Sequence, residues 1–123
     1  RREPMASETT VPSWAVTPEK VEEAIRRIVQ VSRPQMVIVF GSYVSGTPNW
    51  NSDLDVLVVT DDTVTNPRQE SVRIRQALRE IPMPVDIVVV PRRQWEQFKD
   101  TPGLVYREAL RTGKIVYDSA QAA

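Results

Sequence analysis

Three short apolar runs constrain this 123-residue chain more than anything else in it: Met36–Phe40, the stretch behind Asp53 up to Thr60, and Val85–Val90. Each has the length and β-branched content of a strand. Met36-Val-Ile-Val-Phe40 has no polar interruption, the pattern of a central strand covered on both faces. What lies between the runs decides how they pair. Gly41 to Ser52 is rich in Gly, Ser, Asn and Pro and reads as a loop with one helical turn after Ser42. A loop alone leaves the first two strands free to run antiparallel. Asn66-Pro67 is an N-cap and N1 proline opening a helix to about Ile81, with Pro82 and Pro84 bracketing the following turn. A helical crossover of that kind favours parallel neighbours.

The flanks complete the outline. Thr17-Pro18 opens a helix to about Val31, with Val21, Ala24, Ile25 and Ile28 on one buried face; Arg33-Pro34 ends it. Residues 92–99 read as helical, and Thr101-Pro102 opens a last helix that Gly113 stops. Lys114 to Tyr117 is then a short edge strand. The order α-β-loop-β-α-β-α-α-β predicts an α/β (α+β) domain, a small mixed β-sheet with helices packed on it. Residues 1–16 read as a flexible arm, 17–118 as the domain and 119–123 as a flexible tail.

The residues that are missing narrow the chemistry. With no His and no Cys, the chain cannot build a Ser-His-Asp triad, a Cys-His nucleophile or an imidazole or thiolate zinc site. Carboxylates, hydroxyls, amines and a hard cation such as magnesium remain. Sixteen basic and sixteen acidic residues cancel, so no global field draws the chain to nucleic acid. No apolar run approaches the ~20 residues of a membrane span, and a cytoplasmic protein is expected.

Asp53 and Asp55 stand two apart at the start of an otherwise apolar strand. Strand side chains alternate, so both project from one face, roughly 6–7 Å apart at the backbone. Two such charges repel unless a cation sits between them, and side chains of this kind converge on metals ~3.5–4 Å apart in in-line phosphoryl transfer. Asp86 is the single charge inside the third run. If that strand neighbours the second, Asp86 stands about 5 Å away and completes a three-carboxylate cup. A lone Asp-x-Asp is ordinarily a solvated turn. A further Asp among Ile and Val is different, because burying an unpaired charge is costly.

Gly41-Ser42 follows the first strand. A tight glycine turn lets backbone N–H groups approach a ligand, and a helical turn from Ser42 would offer an anion site. The segment imitates a Walker A loop, but Thr47-Pro48 stands where Lys and Ser/Thr are required. Asp61-Asp62 read as solvated, and Arg68, Arg75 and Arg79 as a solvated helix face. Trp50 either anchors its loop or stacks on a base or a partner, and Trp95 and Phe98 pack on the sheet.

Gly41-Ser42-Tyr43-Val44-Ser45-Gly46, six further residues, then Asp53-Leu54-Asp55 closely resembles the signature of the DNA polymerase beta-like nucleotidyltransferase superfamily. The likeness is greatest to the minimal nucleotidyltransferases of bacteria and archaea. It extends over about residues 17–118, through the Asp86 strand and the Arg107 to Tyr117 tail. It implies transfer of a nucleoside monophosphate, AMP by expectation, from a nucleoside triphosphate to an acceptor hydroxyl with release of pyrophosphate. Carried over, Gly41 and Ser42 hold the triphosphate. Asp53 and Asp55 ligate two Mg2+ ions, with Mn2+ as a substitute. Asp86 ligates the catalytic ion and helps deprotonate the acceptor. Ser45 is counted with the nucleotide-binding residues, although many relatives have a basic residue there. Larger relatives carry an acceptor-binding helical domain that is not found here.

The resemblance to antitoxin halves of toxin–antitoxin pairs implies a helical HEPN-type partner protein. It also implies the alternative reading, a binding module that masks its partner with little catalysis. An enzyme acting on a small molecule, alone or as a homodimer, competes with the partnered arrangement.

Overall fold

The computed structural model describes residues 13–41 and 53–122. Helix α1 spans Pro18–Ser32, with the Thr17 side chain accepting the Lys20 N–H at the N-cap. It ends where Arg33 turns left-handed, at φ 47, ahead of Pro34. Strands β1 (Met36–Phe40) and β2 (Leu54–Thr60) follow. Helix α2 (Pro67–Ala77) is capped by Asn66 and leads to β3 (Val85–Pro91). Helices α3 (Arg92–Phe98) and α4 (Val105–Thr112), strand β4 (Lys114–Asp118) and a final turn of helix, α5 (Ser119–Ala122), complete the chain.

Two helix boundaries lie several residues from the sequence expectation, and residues 119–122 form helix α5 where a flexible tail is expected. Helix α2 stops at Ala77, short of Ile81. Leu78, Arg79 and Ile81 instead donate to carbonyls three residues back, a tightening that fits a chain about to meet Pro82, which disfavours helical geometry at the residue before it. Helix α4 begins at Val105, well after Thr101-Pro102. Gly103 adopts φ 88, a left-handed conformation that a right-handed helix cannot contain.

The four strands form one sheet in the order β3-β2-β1-β4. β1 is antiparallel to β2 and to β4, whereas β2 and β3 are parallel, so the mixed sheet expected from the connections is what forms. Both faces are covered. On one, Val21, Ala24 and Ile28 of α1 and Ile74 of α2 pack on Val37, Val39, Leu54, Val56 and Val58. On the other, Trp95 of α3 and Ala109 of α4 pack on Ile38, Phe40, Leu57, Val59 and Val90. Two-sided burial explains why the central strands read as unbroken apolar runs. No helix among the described residues is long and apolar enough to cross a membrane.

Thr60 closes β2 and is the one polar residue in the buried set, and its hydroxyl has no partner among the described residues. An unmet buried hydroxyl costs free energy that a methyl does not. Thr60→Val is expected to stabilise the domain by about 1 kcal/mol in urea denaturation. A loss of similar size would show that the hydroxyl is bonded.

Candidate active site

The carboxylates owe their placement to strand register. The Leu54 N–H donates to Pro84 C=O over 3.0 Å, locking the start of β2 against the residue before β3. From there Asp55 pairs with Asp86 across the parallel ladder and with Phe40 across the antiparallel one. Lys20 reinforces the arrangement from α1, its ammonium donating to the Pro82 and Ala15 carbonyls at 2.8 Å. By alternation Asp55 shares its face with Leu57 and Val59, and Asp86 shares its face with Val88 and Val90. These four residues pack in the Trp95 core. Asp55 and Asp86 therefore stand side by side on one face of the sheet. Asp53 lies exposed just before β2.

Gly41 has a closer relation to this pair than its sequence position suggests. It follows Phe40 at φ 87, and a Cβ placed on it would lie 2.1 Å from Asp55 Oδ2 and 3.1 Å from its Cγ. The turn and the carboxylate occupy adjoining space, and only a residue without a side chain fits both.

The electrostatics show strain of a useful kind. Partial burial, then the charges of Asp86 and Asp53, hold the Asp55 carboxyl above its ordinary pKa. Asp86 is partly compensated: its Oδ1 accepts a hydrogen bond from Arg75 Nη2 at 3.2 Å, and Arg75 Nη1 reaches the Val85 carbonyl at 3.4 Å. Arg75 extends from α2 to the exposed edge strand β3. Sequence reasoning placed it on a solvated face. The missed signal was the pairing of an isolated strand Asp with an Arg eleven residues earlier across a helix–turn–strand unit.

The other sequence candidates divide plainly. Asp53, Asp55, Asp86 and Gly41 come to one end of the β1–β2–β3 sheet. Ser42, Ser45 and Trp50 lie outside the described residues, as does the helical turn expected after Ser42. Asp61 and Asp62 are exposed; Asp61 accepts a local hydrogen bond from the Thr63 N–H, and Asp62 accepts one from the Arg93 N–H at the start of α3. Trp95 is buried against the sheet, edge-on to Tyr106.

Among the described residues no three acidic groups stand close enough to hold an ion. Arg75 engages Asp86 from the sheet edge. The donor set still fits a hard divalent cation. Its donors are carboxylate oxygens, and the charges of Asp86 and Asp53 add to the burial that raises the Asp55 pKa, an addition that a cation would relieve.

The raised pKa of Asp55, from burial first and then from the neighbouring charges, has a measurable consequence. A carboxyl whose folded pKa exceeds its unfolded one costs stability once pH rises past the unfolded value, and the full cost is present above the folded value. Asp55→Asn is therefore expected to raise Tm by about 2–4 °C at neutral pH, allowing for solvent screening of a half-exposed group. The advantage should shrink as pH falls into the carboxylate range, and thermal denaturation at several pH values checks both sign and window.

Known structures place this architecture. A toxin–antitoxin MntA-HpeT mutant is 21% identical, with 87% of this chain and 77% of that one covered at a TM-score of 0.51. A toxin–antitoxin structure with AMP-PNP is 24% identical, covering 82% and 76% at 0.51. A protein assigned as a nucleotidyltransferase from Sulfolobus solfataricus is 14% identical, covering 84% and 81% at 0.55. At these identities the likeness is one of fold. No curated protein matches the chain. The sequence profile of the nucleotidyltransferase domain matches residues 18–115, from the first turn of α1 into β4, and the chain belongs to that family.

Proposed function

We propose that this domain transfers a nucleoside monophosphate, AMP by preference, from a nucleoside triphosphate to an acceptor hydroxyl. The reading rests above all on one observation, the in-register Asp55–Asp86 pair with Gly41 packed against Asp55. Asp53, Asp55 and Asp86 would hold two Mg2+ ions, with Mn2+ able to replace them; bound there, the ions neutralise phosphate charge and polarise the α-phosphorus. Gly41, Ser42 and Ser45 would receive the triphosphate. The acceptor oxygen forms a bond to the α-phosphorus as the bond to pyrophosphate breaks, and the hydroxyl proton passes to the Asp86 carboxylate. Arg75 would steady that carboxylate from outside the metal-binding side.

The acceptor is proposed to lie on a separately encoded helical protein of the HEPN type, as the fold likeness to the MntA-HpeT toxin–antitoxin structures suggests. A partner docked over the carboxylates would exclude water and align the hydroxyl with the leaving pyrophosphate. Leu104, Val105 and Leu110 leave an apolar surface on and just before α4, each about 40% exposed. That surface favours a second reading, a module that masks its partner by binding alone. A cytoplasmic location follows from the triphosphate substrate.

Calorimetry decides the first step. ATP should bind measurably only with Mg2+ or Mn2+ present, because triphosphate and carboxylates repel each other, and Asp53→Asn or Asp55→Asn should abolish that dependence. Equal ATP affinity in chelator and in Mg2+ would sink the enzymatic reading. Labelled ATP with the product of the adjacent gene then separates transfer from masking.

A further inference from the structure

We propose that Arg75 sets the metal affinity of the carboxylate site, as a resident positive charge that keeps bare divalent cations weakly held. The proposal rests on the reading of Asp55 and Asp86 as metal ligands and adds a control that this reading lacks. Helix α2 packs on the sheet face opposite the Asp55–Asp86 pair, with Ile74 in the core that α1 covers. The next residue, Arg75, therefore reaches Asp86 around the open edge of β3, a terminal strand of the sheet. Backbone geometry marks the way. Pro84 C=O points inward to the Leu54 N–H, so by alternation Val85 C=O points out from the edge. There it accepts from Arg75 Nη1 at 3.4 Å. Nη2 donates to Asp86 Oδ1 at 3.2 Å, a contact that takes up one carboxylate oxygen and not the other.

Among the described residues Arg75 is the one cation paired with an aspartate of this site. Lys20 commits its ammonium to the Ser13, Ala15 and Pro82 carbonyls instead. The Arg75 and Asp86 side chains are 45% and 61% exposed, and an ion pair so open contributes little to the fold. Its effect on a third charge is larger. A divalent ion at Asp86 must share that carboxylate with a guanidinium, and like charges a few ångströms apart near a surface shift affinity several-fold. A triphosphate reverses the balance. A guanidinium attracts phosphate oxygens, and Arg75 has N–H donors left over from its two contacts. Arg75 thus opposes a bare ion and favours one that arrives with nucleotide. If Arg75 did no more than order Asp86, removing it would weaken metal binding, so the two roles differ in sign.

Mn2+ binding to the nucleotide-free chain, followed by electron paramagnetic resonance of the free ion, tests this without any turnover. Arg75→Gln removes the charge and keeps an amide donor, whereas Arg75→Lys keeps the charge and loses the two-armed contact. Arg75→Gln should bind Mn2+ about three- to tenfold more tightly than wild type, and Arg75→Lys within about twofold of it. With Mn2+ saturating, α,β-methylene-ATP should bind Arg75→Gln no more tightly than wild type, because the attraction for phosphate is gone. Thermal denaturation confirms that each variant folds. Mn2+ affinity unchanged or weaker in Arg75→Gln, while wild type binds the ion, would overturn the proposal and leave the metal reading standing. Equal tightening in Arg75→Lys and Arg75→Gln, or tighter analogue binding by Arg75→Gln, would also overturn it. No Mn2+ bound by wild type or Arg75→Gln up to about 10 mM would overturn the metal reading and the proposal together.

Discussion

Asp86→Asn is expected to cut nucleotidyl transfer by about 10²–10⁴-fold, the usual cost of losing a general base, while the fold stays intact. The amide is nearly isosteric, and Asp86 is exposed on an edge strand with Arg75 as its one described ion-pair partner. Its oxygen can still accept from Arg75, so thermal stability should change little. The loss should appear in kcat, because proton removal belongs to the transition state, with little change in nucleotide binding. A folded variant with wild-type turnover would remove Asp86 from the chemistry.

The other large effect is expected at Gly41. Gly41→Val must place a Cβ where Asp55 Oδ2 now lies, 2.1 Å away, at a backbone φ of 87. The left-handed backbone alone costs a side-chain-bearing residue about 1–2 kcal/mol, and forcing atoms into packed space adds about 1–3 kcal/mol. A destabilisation of about 2–5 kcal/mol is expected, together with loss of transfer, because Asp55 must swing from its place beside Asp86. Gly103 supplies the control. It has nearly the same φ, 88, but nothing within 4 Å of its would-be Cβ. Gly103→Val should show the backbone cost alone and leave activity unchanged. Equal effects in urea denaturation would mean that the Asp55 contact contributes nothing.

These two predictions arise from different levels of information. The sequence singles out Asp86 as an acidic residue among Ile and Val, on the expectation of a buried charge; the structure leaves it exposed and paired with Arg75. The demand on Gly41 was half legible. The sequence marks a glycine turn at the end of β1, and the natural reading is that the turn brings backbone close to a ligand. Only the antiparallel pairing of Phe40 with Asp55 reveals that the turn also makes room for a carboxylate of its own chain.

What the sequence by itself determined is whatever depends on local periodicity and composition. Apolar runs marked the strands, and proline and cap residues opened α1 and α2. The absence of His and Cys excluded imidazole and thiolate chemistry. Where local reading failed, a neighbouring residue had changed the local geometry, as Gly103 does before α4. The tertiary structure alone decided which residues meet. Register sets Asp55 opposite Asp86, and the packing of α2 beside β3 brings Arg75 to that pair although eleven residues of chain separate it from Asp86. The period-two rule says which way a strand residue points, but it cannot say which residue of another strand lies opposite. That is settled by pairing energies summed over whole elements, which no local stretch of sequence contains.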